Sequence, residues 1–366
     1  MRIHGRHYRT IWTQDNHVTV IDQTRLPHAF TTCDLSTLDE ACHAIQSMIV
    51  RGAPLIGITA AYGVWLAMQV ASDDQALEEA LTRLGKTRPT AVNLHWALEQ
   101  MAKALRPAPS SERVARAKME ADRLADEDVA CCHAIGIEGL SVIRALHQQK
   151  LKAGQNQCVN ILTHCNAGWL ATVDWGTALA PIYLAHDEGI QVHVYVDETR
   201  PRNQGASLSA YELHAHGVPH TILVDNAGGH LMQHKQIDMC IVGADRVTSC
   251  GDAANKIGTY LKALAAKDND VPFYFAVPSS TIDWTLSDGL RDIPIEERHP
   301  DEVTHMTGAT ENGTIARIQI SSPGSAALNP AFDVTPTRLI TAIITERGIV
   351  SANRTALASL FPELAS

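Results

Sequence analysis

Two residues suited to proton transfer each follow an apolar run. Cys165 comes after Cys158–His164 (CVNILTH), and Asp245 after Ile237–Ala244 (IDMCIVGA). Apolar walls penalise the charged form of a carboxyl, so an aspartate there stays protonated to higher pH and is prepared to donate a proton. A structural ion pair with Arg246 is the alternative for Asp245. Cys165 leads into a small-residue turn with Asn166 and Gly168, where backbone N–H groups would lower the thiol pKa and favour thiolate. An inert buried cysteine is the other reading.

Candidate anion-holding groups lie in both halves of the chain. Arg51-Gly52-Ala53-Pro54 opens an uncharged helical stretch. There Pro54 suits the first helical turn, Gly52 and Ala53 let backbone amides approach an oxyanion, and Arg51 can clasp phosphate with two donors. Arg88-Pro89-Thr90, Gln204-Gly205 and Asn255-Lys256 each join a donor side chain to a turn or helix start. Surface structure is the plainer reading of each taken alone.

These residues need elements to position them. After Gly154, the apolar runs CVNILTH, QVHVYV, HTILV, IDMCIV and PFYFAV are each followed by a polar loop and a helix-like stretch. That alternation predicts an α/β fold with a parallel sheet wrapped by helices. Ligands of such sheets bind beyond the carboxyl ends of the strands, where His164–Gly168, Asp197–Arg200, Asp225-Asn226, Gly243–Arg246 and Pro278–Thr281 all fall. The first part opens with β-like runs at His4–Trp12 and His17–Asp22 and is otherwise helical in pattern. Its last segment, from Ser110 to about Gln149, reads as a long connector with at most one break. The expected division is a mainly helical domain over 1–135 and a catalytic sheet domain over 136–366.

Composition excludes several partners. A net charge of −10 gives no electrostatic footprint for a nucleic acid backbone. Eight cysteines with no C-x-x-C pair fit reduced thiols in a cytoplasmic protein, and the N-terminal residues show no export signal. Gly52–Ser72 is uncharged, but Pro54, its glycines, Thr59, Tyr62 and Gln69 favour a buried helix over a membrane span. Neither G-x-G-x-x-G after a strand nor a P-loop occurs, so no nucleotide cofactor is expected. His230 and His234 have the spacing of a helical zinc pair without the accompanying glutamate, and no metal is expected.

Taken in order, MIVRGAPLIGITAAYG, TRPTAVNL, ILTHCNAGWLAT, VYVDETRPRNQGASLSAYEL, VGADRVTSCGDAANKIGTYLKALAAK, PFYFAVPSSTID, IPIEER and NPAFDVTPTRLITAIITERG span most of the chain. Together they resemble the signature blocks of the 5-methylthioribose-1-phosphate isomerases, within the wider family that includes the regulatory subunits of initiation factor 2B. The resemblance implies a helical N-terminal domain, a Rossmann-like C-terminal domain and a homodimer. It also implies a catalytic pair, Cys165 and Asp245, and substrate contacts from Arg51, Gly52, Ala53, Arg88, Gln204, Asn255 and Lys256. The implied reaction is aldose–ketose isomerisation of a sugar 1-phosphate in methionine salvage, without metal or nicotinamide. Asn203 and Ser207 stand where the blocks lead one to expect leucine and arginine, and Gly228 where alanine is expected. Isomerases of ribose 1,5-bisphosphate or 5-deoxyribose 1-phosphate, and a non-catalytic initiation factor subunit, are the alternatives.

Overall fold

A computed structural model describes residues 1–365 with the exception of His4. The predicted run His4–Trp12 therefore begins outside the described residues; it contains the short strand Arg6–His7, paired with Arg2–Ile3, and the start of a strand over Ile11–Gln14. That strand pairs with His17–Ile21, which pairs in turn with Thr32–Leu35. Five helices follow: α1 (Leu38–Gln46), α2 (Ala53–Val70), α3 (Asp74–Gly85), α4 (Val92–Leu105) and α5 (Ser110–Lys152). A capping box between Thr37 and Glu40 starts α1, and Asp73 caps α3.

The uncharged helix α2 is enclosed on all sides, with fifteen of its eighteen residues buried. This is what a helix apolar around its whole circumference requires. It packs chiefly on α4 and α5. In length and composition α2 and part of α5 would pass for membrane spans, but α2 is the core helix of this half.

Helix α5 runs without a break for 43 residues, about 65 Å at the helical rise. The permitted break is absent because the segment contains no proline after Pro109. Its first half (Ala117, Ala121, Leu124, Ala125) belongs to the core around α2, and its second half (Ile135, Leu140, Ile143) to the core under the large sheet. Residue 135 thus lies inside one continuous helix shared by both cores.

The large sheet contains β1 (Val159–Thr163), β2 (Val192–Asp197), β3 (His220–Leu223), β4 (Met239–Val242), β5 (Phe273–Ala276), β6 (Ala342–Thr345) and β7 (Gly348–Val350). Their spatial order is β3-β2-β1-β4-β5-β6-β7, and every pairing is parallel except β6 with β7. Order 3-2-1-4-5-6 is that of the doubly wound dinucleotide-binding fold. All five runs read as strands from the sequence form β1 to β5. A second sheet of four strands lies against the site, in the order Ile282–Asp283, Arg246–Thr248, Ala253–Lys256 and Phe332–Thr335.

Candidate active site

Strand order reverses between β1 and β4, and the loops leaving their carboxyl ends, His164–Gly168 and Gly243–Asp245, form the two walls of a crevice. A pocket of about 30 Å³ there is lined by Arg51, Gly52, Ala53, Cys165, Asp245 and Asn255, among others. The structure thus brings six of the nine sequence-selected residues together. Arg88 lines an adjoining pocket that also touches Ala53 and Asp245. Gln204 lies instead on a cavity of about 830 Å³ that shares Arg51 with the first pocket. Lys256 lines none of these three among the described residues, but its charge acts on both Cys165 and Asp245.

Asp245 owes its place to the second sheet. Its N–H donates to the Ala254 carbonyl at 2.9 Å, and Asn255 and Lys256 follow on that strand. The ion pair with Arg246 does not form: that guanidinium lies 3.2 Å from Asp283 and donates to the Thr90 carbonyl at 2.6 Å. No hydrogen bond to the Asp245 carboxyl is made among the described residues. Burial raises its pKa above the ordinary carboxylate value, while Lys256, Arg51 and Arg88 pull the other way. A carboxyl in this state is a proton donor in waiting.

Cys165 is buried and adopts a left-handed backbone, φ 67°. Its N–H donates to Thr199 Oγ1 at 2.8 Å, and its carbonyl accepts from Ser209 Oγ at 2.8 Å. The expected thiolate is corrected here. Burial pushes the thiol upward, against the smaller opposing effects of Arg51, Lys256 and the Asn166 N–H. The cysteine's own amide is engaged by Thr199, so the turn supplies less stabilisation than its composition suggested.

The N-terminus of α2 closes the crevice. Gly52 has φ 96°, and a Cβ there would lie 2.5 Å from the Ala171 backbone, so only glycine fits. No side chain caps α2, and its first turn carries no acid, so its N–H groups stay available to an anion. Arg51 is fixed beside it by Asn166, with Nη1 donating to Oδ1 at 2.5 Å and Nη2 to the carbonyl at 3.0 Å. Arg88 donates to Glu296 at 3.0 Å, and its Nε is buried without a partner among the described residues. Gln204 Oε1 is likewise buried and unpartnered, which leaves each residue a polar atom to offer. Burial lowers the Lys256 pKa, and its Nζ sits 4.6 Å from the centre of the Phe332 ring.

Thr199 lies in the Asp197–Arg200 loop read from the sequence, whereas sequence reading does not single out Ser209 and Glu212; all three hold the Cys165 loop. His164, Asp197 and Asp225 place one potential metal-ligand atom each within 4.8 Å of one another. Most of their polar atoms are engaged, although Asp197 Oδ1 is buried without a partner among the described residues. Asp197 Oδ2 meets His164 Nδ1 at 2.9 Å and the Lys262 ammonium at 3.4 Å, while Asp225 accepts the Thr199 and Arg200 N–H groups at 2.7 Å. The cluster reads as a hydrogen-bonded brace with its own counter-charge.

Gly168 tests the packing of this loop. A Cβ on it would lie 1.8 Å from Glu212 Oε2. Gly168→Ala is expected to cost about 3 kcal/mol through overpacking, read as a lower urea midpoint with unchanged slope. A midpoint equal to wild type would show that the loop yields.

The comparisons with known proteins fit this geometry. Residues 49–352 match the model described as the Initiation factor 2 subunit family, and the chain belongs to that family. Within it, the similar curated proteins are methylthioribose-1-phosphate isomerases. That of Methylorubrum populi is 62% identical over 365 residues, covering 99% of each chain. That of Acidiphilium cryptum is 60% identical over 368 residues, covering 100% of this chain and 99% of its own. The crystal structure of 5-methylthioribose 1-phosphate isomerase from Pyrococcus horikoshii OT3 superposes with a TM-score of 0.83 at 39% identity, covering 98% of this chain and 97% of that one.

Proposed function

We propose that this chain is an aldose–ketose isomerase converting 5-methylthioribose 1-phosphate to 5-methylthioribulose 1-phosphate in methionine salvage. The observation that carries the reading is the shared pocket of Cys165 and Asp245 at the switch point of the sheet, under the open N-terminus of α2. The substrate's phosphate esterifies its anomeric carbon, so the ring cannot open to a free aldehyde. Protonation of the ring oxygen drives opening instead, and Asp245, whose pKa burial raises, is the acid for it. Hydrogen then moves from C2 to C1, either as a proton taken by Cys165 or as hydride while Asp245 receives the 2-hydroxyl proton. Arg51, the amides from Gly52 onward, Arg88, Asn255 and Lys256 hold the phosphate and the sugar hydroxyls, and Gln204 contacts the substrate from the larger cavity. The same reading makes the protein a cytoplasmic homodimer, with the helical part over 1–135 supplying the anion grip and the sheet part over 136–366 supplying the pair.

The test is turnover by the purified protein, with ketose formation followed by NMR and ribose 1,5-bisphosphate run in parallel. Conversion of the methylthio sugar alone is the expected result. Conversion of the bisphosphate alone moves the substrate assignment, and no conversion of either moves the chain to the non-catalytic initiation factor type.

A further inference from the structure

Glu212 is the most fully engaged buried acid in the molecule, and it lies outside the pocket lining. It sits on the short helix Ala210–His216, wholly shielded from solvent. Its Oε1 accepts from Asn166 Nδ2 at 2.9 Å and the Leu170 N–H at 3.0 Å. Its Oε2 accepts from the Trp169 N–H and the Tyr183 hydroxyl, each at 2.8 Å. Burial pushes this carboxyl up to about 7 in spite of those four bonds. The same oxygen occupies the space a side chain at Gly168 would need.

Asn166 lies between this acid and Arg51. Its Oδ1 and carbonyl accept from the Arg51 guanidinium, and its Nδ2 donates to Glu212 and, at 3.2 Å, to Ser209. A guanidinium can only donate, and both Glu212 oxygens already face donors, two each, so Glu212 meets the Asn166 amide as an acceptor. The two partners therefore force one orientation on the Asn166 amide, with oxygen towards Arg51. We propose that Glu212 is a positioning residue that sets the Asn166 amide and through it the Arg51 guanidinium for the substrate's phosphate. It touches no reacting atom. A glutamine at 212 has one acceptor oxygen where the carboxylate has two. It strands donors of the 166–170 loop, and its own amide N–H can face the asparagine. Arg51 then loses its fixed fork while Cys165 and Asp245 stay in place.

The inference rests on the isomerase reading, and the experiment separates the two. Steady-state kinetics are measured on wild type, Glu212→Gln, Asn166→Ala, their double variant and Tyr183→Phe, with inorganic phosphate affinity measured by calorimetry in parallel. Wild type that turns over no sugar 1-phosphate sinks the isomerase reading, and the inference is then judged on phosphate affinity alone. The expected pattern for Glu212→Gln is a KM and a phosphate Kd raised about tenfold, with kcat within about threefold, the signature of lost uniform binding. Asn166→Ala should match it, and the double variant should be no worse than either single change. Tyr183→Phe, which removes one donor and leaves the asparagine link, should lower the melting temperature without moving KM. Affinity unchanged in Glu212→Gln, or effects that multiply in the double variant, overturns the inference. If Glu212→Gln does not fold, Asn166→Ala decides, because the link passes through that residue and an unchanged KM there removes it.

Discussion

Asp245→Asn is expected to lower kcat by about a thousandfold, in the middle of the range for loss of a general acid, with KM nearly unchanged. The reason is local. The carboxyl has no ion pair, and burial raises its pKa, which favours the acid form whose proton an amide of the same shape cannot give. The pH dependence has a definite sign. The acid form is the active one, so turnover is full below the raised pKa of Asp245 and declines as pH rises through it. The residual turnover of the asparagine variant should lack that declining limb.

Stability should follow pH in the same direction. A carboxyl whose folded pKa exceeds its unfolded value stabilises the fold fully only below the unfolded pKa, and the contribution disappears as pH rises through the folded one. At pH 8 wild type therefore carries a cost that asparagine does not. The variant should melt no lower than wild type, and a clearly lower melting temperature together with intact turnover would refute the assignment of Asp245 as acid.

The parts of this molecule legible in the sequence are those whose environment is set by their neighbours in the chain. Strands β1, β4 and β5 are largely buried and read as apolar runs, β2 alternates buried with half-buried residues, β3 is a more exposed edge strand, and Cys165 and Asp245 lie in the loops just after β1 and β4. The run that forms β6, in Arg338–Thr345 (RLITAIIT), was equally apolar and could have been read as a sixth strand. The four-stranded sheet could not. Its pieces are two to four residues long and scattered over three separate segments, with only two of the pieces in the stretch that carries Asn255 and Lys256. The hairpin of His305–Ala309 and Ile315–Gln319 has no fully buried residue on either strand and so lacks the apolar alternation that marks a strand packed on a core.

Glu212 illustrates a different limit. In the pattern SAYELHAH a glutamate reads as the solvent face of a helix, and only tertiary packing brings the Asn166–Leu170 loop onto it. The thiol of Cys165 was misjudged for a related reason. Counting nearby N–H groups along the chain does not reveal that one of them is already committed to Thr199, thirty-four residues away.

Cys165→Ala is expected to lower kcat by about a hundredfold or more, a loss of roughly 2.7 kcal/mol or more of transition-state stabilisation. A decrease of less than about threefold would remove the thiol from the chemistry. The larger question is its role. Burial holds Cys165 towards the neutral thiol, and a neutral thiol cannot accept the C2 proton. A hydride route asks less of it, because the thiol then stabilises the transition state between C2 and C1 without ionising, while Asp245 handles the hydroxyl proton. Substrate carrying deuterium at C2 is therefore expected to deliver that label to C1 of the ketose, with little exchange for solvent hydrogen. Turnover should also fail to rise with pH towards the thiol's ionisation. Loss of the deuterium to water, with activity that climbs as the thiol ionises, would instead make Cys165 the base. Arg51 and Lys256, the two cations that draw its pKa down, would then be the residues that enable it.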